Sequence, residues 1–136
     1  MTKNDSRMII IVVDDTEASF SRVKKLLKDC IPHLYLNHIK SAHELDGLLR
    51  TCQKQGVVPH AYIVDISLSE DADGIDVIRK IRAQYPQSLI VANTKFAEYR
   101  DEAIKAGADN FVEKFTQDNR LVEILVENLS SGEDSV

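Results

Sequence analysis

Five short apolar runs alternate along this chain with five stretches of helical periodicity, and this alternation limits the fold more than any other feature. The runs are rich in Ile, Val, Leu and Tyr, as is typical of strands buried on both faces. Neighbouring parallel strands need a crossover of helix length, so the alternation predicts an α/β fold: one doubly wound parallel sheet with helices on both faces. The strands are predicted at residues 8–13, 34–39, within 60–68, 89–92 and 110–114.

The stretches between these runs repeat apolar residues at the three- and four-residue spacing of a helix face. Ser41 followed by Glu44 matches a capping box, and Gly56 lies where a helix C-terminal cap belongs. The helices are predicted at residues 16–30, 41–56, 75–85, 96–106 and 118–129.

Length and charge narrow the class of protein. A chain of 136 residues with 43% hydrophobic residues suits one domain with its own core. We predict a disordered leader over residues 1–7, the domain over 8–129 and an acidic flexible tail over 130–136. The net charge of −5 argues against nucleic-acid binding. No apolar run is long enough to span a bilayer and the N-terminus lacks a signal-peptide pattern, so we expect a cytoplasmic protein without membrane contact.

Charged residues stand at the ends of three predicted strands. Asp14 and Asp15 follow the first strand, Asp65 ends the third and Lys114 ends the fifth. All strands of a parallel sheet end at one edge, where such sheets bind ligands. Two carboxylates about 4 Å apart repel by roughly 4 kcal/mol at an effective dielectric of about 20. A cluster of three therefore raises carboxylate pKa values or binds a cation, for which Mg²⁺ is the natural candidate.

Each of these residues has a simpler interpretation when taken alone. An Asp-Asp pair after a strand often caps the next helix, and a lysine at a sheet edge is usually solvated. The coincidence of three strand ends favours a functional site instead. An ionised aspartate beside a metal and a lysine suits nucleophilic attack on a phosphoryl group.

The sequence resembles the receiver domains of two-component response regulators over residues 8–129. The resemblance lies in the ordered motifs IIVVDD, IVDISL, DGIDVIRKIR and AGADNFVEK, at residues 10–15, 63–68, 73–82 and 106–114. It implies a (βα)5 flavodoxin-like sheet with strand order 2-1-3-4-5.

The resemblance also implies roles for the charged residues. Asp65 would accept a phosphoryl group from a sensor histidine kinase or a histidine phosphotransfer protein. Asp14, Asp15 and Asp65, with the backbone carbonyl of Ser67, would hold Mg²⁺. Lys114 would contact the phosphoryl group.

The residues that sense phosphorylation depart from the usual pattern. The family places Ser or Thr at the end of the fourth strand. Counting back from Lys114 without gaps assigns this position to Ala92, which we favour, whereas counting forward from Gly74 assigns it to Thr94. Phe111 matches the switch aromatic of the fifth strand.

Two prolines typical of the family are replaced here. Phe115 follows Lys114, and Ser69 lies in the loop after Asp65, which is one residue longer than usual.

We therefore predict a stand-alone receiver in a phosphorelay, without turnover of an external substrate. An unidentified downstream protein would bind the face made by the fourth helix, fifth strand and fifth helix, and homodimer formation is left open. One alternative is a receiver-like module that binds its partner without phosphorylation. Another is a phosphohydrolase that uses the same acidic site.

Overall fold

The computed structural model describes residues 7–68 and 73–134 of the chain. Five parallel strands form one sheet in the order β2-β1-β3-β4-β5, which confirms the predicted fold and strand order. The strands are β1 Met8–Val13, β2 Leu34–Ile39, β3 Ala61–Val64, β4 Leu89–Thr94 and β5 Asn110–Glu113.

Within the described residues, five α-helices connect or follow these strands. They are α1 Glu17–Leu27, α2 Ala42–Gln55, α3 Gly74–Gln84, α4 Arg100–Ala106 and α5 Asp118–Asp134, and a 3₁₀ turn at Ala97–Tyr99 precedes α4. Ser41 caps α2 by accepting from the Glu44 amide, and Gly56 ends this helix in a left-handed conformation, as its sequence predicts. None of the described helices combines the length and apolar character that crossing a bilayer requires.

The sheet separates two apolar layers. One contains α2, α3 and α4, with Ile11, Val13 and Val64 on the sheet side. The other contains α1 and α5, with Val12 and Ile63 on the sheet side. Successive strand residues point to opposite faces of the sheet. The position of a residue along its strand therefore determines which of the two layers its side chain faces, and this holds for the first residue after the strand as well.

Helix α1 ends at Leu27, three residues before the predicted end, and three further elements differ from the sequence prediction. Strand β4 continues two residues past Ala92, because Asn93 and Thr94 pair with Val112 and Glu113 of β5. The predicted fourth helix is divided into the 3₁₀ turn and a seven-residue α4.

The end of α5 is the third of these further differences. This helix continues to Asp134 through most of the predicted tail, since backbone hydrogen bonding does not need the apolar periodicity that ends at Leu129. Residues 135–136, and residues 1–6 of the predicted leader, lie outside the described residues.

Candidate functional site

Lys114 joins two of the predicted carboxylates at the carboxyl edge of the sheet. Its Nζ atom lies 2.8 Å from Asp14 Oδ2 and 2.8 Å from Asp65 Oδ2. The side chains of Lys114, Asp14 and Asp65 are only 7%, 5% and 9% exposed. All three continue the strand alternation toward the layer of α1 and α5, which is why residues of three strands meet at one point.

Asp15 completes an acidic cluster with Asp14 and Asp65. One carboxylate oxygen from each of these residues lies within 4.8 Å of the others, and Asp15 is exposed whereas the other two are buried. Ser67 lines the same cleft and donates its amide to Asp65 Oδ1 at 3.0 Å. Carboxylate and carbonyl oxygens are the ligands that Mg²⁺ prefers, so the donor set fits this ion.

The structure does not support the two simpler interpretations, in which the Asp-Asp pair caps α1 and Lys114 is a solvated lysine at the sheet edge. Helix α1 is capped by Thr16, whose hydroxyl accepts from the Ser19 amide at 3.2 Å. Asp14 instead accepts from the Thr16 amide and hydroxyl through Oδ1, which leaves Oδ2 for Lys114. Lys114 is a buried ion-pair partner and not a solvated edge lysine.

The environment of Asp65 opposes its ionisation. Burial raises the pKa of the Asp65 carboxyl above its usual range and the Asp14 charge adds to this effect, while the hydrogen bond and charge of Lys114 oppose it. One ammonium faces two carboxylates, so the buried trio carries an excess negative charge. Such a site is stabilised by a bound cation.

The backbone around Asp65 depends on a glycine. A Cβ atom at Gly74 would lie 2.3 Å from the Asp65 carbonyl oxygen and 2.5 Å from Ile66 Cα. Glycine is therefore needed for the N-terminus of α3 to approach the end of β3. The Gly74 amide donates to the Ile66 carbonyl at 2.9 Å, and this bond holds the segment that positions the carboxylate.

Comparison with known proteins identifies the family. The family model described as the response regulator receiver domain matches residues 10–126. The chain belongs to the response regulator receiver domain family. The chemotaxis protein CheY of Thermotoga maritima is 31% identical over 123 residues, which cover 85% of this chain and 92% of CheY.

Solved receiver structures resemble this one. The receiver domain of NtrX from Brucella abortus is 26% identical, with a TM-score of 0.72 and coverage of 89% of this chain and 98% of that domain. A CheY-like receiver domain protein from Methanospirillum hungatei is 24% identical, with a TM-score of 0.76 and coverage of 96% and 100%, respectively. The latter supports the fold alone.

Thr94, and not Ala92, lies at the site of this receiver. Thr94 lines the cleft with Asp14, Asp65 and Lys114. Ala92 is fully buried in the apolar layer of α2 to α4. The geometry therefore favours the alternative alignment to Thr94 over the alignment to Ala92.

The other predicted switch position, Phe111, is not among the residues that line the cleft. Phe111 is buried in the layer of α2 to α4, and the Arg100 guanidinium carbon lies 5.8 Å from its ring centroid. The exposed Phe115 borders the cleft with a backbone φ of 71°. No cis peptide bond occurs in the described residues. The predicted loop position Ser69 lies outside them.

Sequence reasoning missed three residues that support the site. Ser19 accepts a hydrogen bond from Lys114 Nζ at 3.0 Å. His38 lies with its Nε2 2.7 Å from the Asp14 carbonyl oxygen, and its ring stacks on Phe20 at a centroid distance of 4.4 Å. Arg22 contacts β4 and the N-terminus of α5. The position of Ser19 one helical turn after Asp15 is a signal that could have found it.

Proposed function

We propose that this receiver accepts a phosphoryl group on Asp65 from the phosphohistidine of a sensor histidine kinase or phosphotransfer protein. The proposal depends on one observation above the others. Asp65 is a buried carboxylate paired to Lys114, at a cleft that also contains Asp14 and Asp15. This arrangement combines a nucleophile with both an ammonium and a cation site for an incoming phosphate.

The transfer conserves charge and atoms within the donor and acceptor. An oxygen of ionised Asp65 attacks phosphorus and a new O–P bond forms. The bond from phosphorus to the donor breaks, and its electron pair leaves with the histidine nitrogen, or with acetate when acetyl phosphate is the donor. We propose that Asp14, Asp15, Asp65 and the Ser67 carbonyl hold Mg²⁺, which when bound offsets the charge of the phosphoryl oxygens.

Lys114 and Thr94 supply the protein's response to the new group. Lys114 redirects its bond from Asp65 Oδ2 to a phosphoryl oxygen, because phosphorylation moves negative charge outward from that carboxylate. We propose that the Thr94 hydroxyl, which accepts from the Phe96 amide at 3.4 Å, turns to donate to another phosphoryl oxygen. Phe111, which lies on the same face of the sheet as Thr94, would then change its packing.

The face made by α4, β5 and α5 is the proposed output surface. It presents Ile104, which is 44% exposed, and it lies beside the strand end that carries Thr94. A downstream protein would bind this face in one of its two states. We propose no direct nucleic-acid contact, no turnover of external substrates and, as the sequence predicts, a cytoplasmic location.

Intact mass spectrometry tests the phosphoryl acceptance. Incubation with acetyl phosphate and Mg²⁺ should add one phosphoryl mass to the wild type and none to Asp65→Ala. Asp101→Ala, which removes an exposed aspartate of α4, is the matched control and should be labelled like the wild type. An unlabelled wild type, or an equal adduct on Asp65→Ala, would contradict the proposal.

Binding without phosphorylation is the second candidate, favoured by one observation. Phe115 is 62% exposed at the rim of the cleft, where the family has proline, and so offers an apolar contact in either state. Partner binding by wild type, Asp65→Asn and Lys114→Ala, each with and without acetyl phosphate, separates the two functions. Equal binding in all six conditions would favour the phosphorylation-independent module.

A further inference from the structure

We infer that helix α1 positions Lys114 from two sides, with Ser19 holding its ammonium and Arg22 holding the loop that follows it. This inference rests on the proposed function, because it concerns how the lysine meets the phosphoryl group. Ser19 and Arg22 are three residues apart and therefore share one face of the helix. Neither is proposed to touch the phosphoryl group or the metal, so both are positioning residues.

Ser19 completes the hydrogen bonding of the lysine. An ammonium has three N–H donors. Those of Lys114 meet Asp14 Oδ2 at 2.8 Å, Asp65 Oδ2 at 2.8 Å and Ser19 Oγ at 3.0 Å. Ser19 is the neutral partner, and its bond does not have to change when Asp65 gains a phosphoryl group. Two fixed bonds, to Asp14 and Ser19, therefore aim the third donor at the reacting position.

The helix N-terminus holds Ser19 in place. The Ser19 amide donates to the Thr16 side chain, which caps α1. The Thr16 amide in turn donates to Asp14 Oδ1 at 3.1 Å. The segment that supplies the carboxylate is thus tied to the turn that supplies the hydroxyl, and the separation of Asp14 and Ser19 across the ammonium is fixed.

Arg22 acts on the backbone after Lys114. Its guanidinium pairs with Asp118, whose Oδ1 also accepts from the Phe115 amide at 3.0 Å. The guanidinium carbon lies 4.8 Å from the Phe115 ring centroid. Phe115 has a φ of 71°, a left-handed conformation that a phenylalanine adopts when surrounding contacts hold it.

Arg22 also reaches the strand beside Lys114. Its Nη2 atom lies 3.4 Å from Asn93 Oδ1, and Asn93 Nδ2 donates to the Val112 carbonyl at 2.9 Å. The planar guanidinium therefore connects α1 to β4 and to the start of α5, and through Asn93 to β5. A lysine at this position could not contact all of these groups together.

Phosphorylation kinetics separate this positioning role from metal binding. With acetyl phosphate and Mg²⁺, Ser19→Ala should be labelled about tenfold more slowly than the wild type, the effect of losing one hydrogen bond to a charged group. Its affinity for Mg²⁺ alone, measured by calorimetry, should stay within about twofold because the metal ligands are untouched. Ser19→Thr restores the hydroxyl and should recover most of the rate. Ser21→Ala, an exposed serine of the same helix, is the matched control.

Arg22→Lys tests the second contact. This substitution keeps the positive charge but removes the planar guanidinium with its several N–H donors. Phosphoryl labelling should therefore slow about threefold, and the Phe115 amide should exchange its hydrogen faster. The affinity for Mg²⁺ should stay unchanged. Unchanged labelling and unchanged amide exchange would overturn the role of Arg22.

A second measurement needs no phosphorylation. The side-chain ammonium signal of Lys114 in ¹⁵N NMR should be sharp and slow to exchange in the wild type. It should broaden in Ser19→Ala and return in Ser19→Thr. If the wild type is phosphorylated and the Ser19→Ala variant matches it in both labelling rate and ammonium signal, the inference is overturned and the proposed function stands. An unlabelled wild type overturns the proposed function, and the ammonium signal still decides whether Ser19 holds the lysine.

Discussion

The two edges of the sheet each contain a cationic side chain surrounded by oxygen acceptors, but the balance of charge around that side chain differs between the edges. At the amino edge, Arg82 donates to the carbonyls of Gly107, Pro86 and Ser88 at distances from 2.8 to 3.0 Å, and to Asp109 Oδ2 at 2.7 Å. One charge pair and several neutral carbonyls satisfy the guanidinium there.

The carboxyl edge is not balanced in this way. Lys114 faces the two buried carboxylates of Asp14 and Asp65, and Asp15 adds a third negative charge nearby. The amino edge thus fastens chain segments together, whereas the carboxyl edge keeps excess charge that a ligand can neutralise. Residues that reduce stability in this way are expected at functional sites.

The largest effect should come from removing the cation of the carboxyl edge. Lys114→Met keeps most of the stem but leaves Asp14 and Asp65 facing each other, and we expect the free energy of unfolding to fall by about 3 kcal/mol at neutral pH. Urea denaturation measures it, with the exposed Lys95→Met as control, which should change by less than about 0.5 kcal/mol. A loss as small as that of the control would mean that the two carboxylates do not depend on the lysine.

Arg82 should matter for stability and not for phosphorylation. Arg82→Ala removes the bonds that join the ends of α3 and α4, so we expect a loss of about 2 kcal/mol in urea denaturation. Labelling by acetyl phosphate should stay within about twofold of the wild type. Arg79→Ala, in the same helix but with a 61% exposed side chain, should cost less than about 0.5 kcal/mol. A strong loss of labelling in Arg82→Ala would show that the two edges are coupled.

Asp65 should give the smallest effect, with the opposite sign. Asp65→Asn leaves Lys114 and Asp14 as a balanced pair, and we expect it to raise the free energy of unfolding by about 1 kcal/mol at neutral pH. Burial raises the pKa of Asp65 in the folded state, so its ionisation destabilises the fold as pH rises through that raised pKa.

The difference between wild type and Asp65→Asn should therefore shrink on acidification and vanish below the ordinary Asp value of 3.8. Thermal unfolding at several pH values in the absence of Mg²⁺ measures it. An advantage of the asparagine variant that grows toward acid pH would have the wrong sign for this explanation.

The alternation of strands and helices was predictable because it depends on local periodicity and on the need for crossovers. The convergence of Asp14, Asp65 and Lys114 followed from strand ends alone. The end of β4 did not, because Asn93 and Thr94 are polar and join the strand through pairing with β5.

Residues that act through distant contacts were also hidden from sequence reasoning. Ser19 is 95 positions from Lys114, and Arg22 is 96 positions from Asp118. Each is an ordinary polar residue of an amphipathic helix until the fold brings its partner near.

The last two residues of β4 have a consequence for how this domain can vary. Asn93 faces the layer of α1 and α5, where it meets Arg22, while the next residue, Thr94, belongs to the opposite side of the strand. Adding or deleting one residue in β4 would exchange these two sides. Substitutions on either side can therefore accumulate separately, but the length of β4 must stay constant.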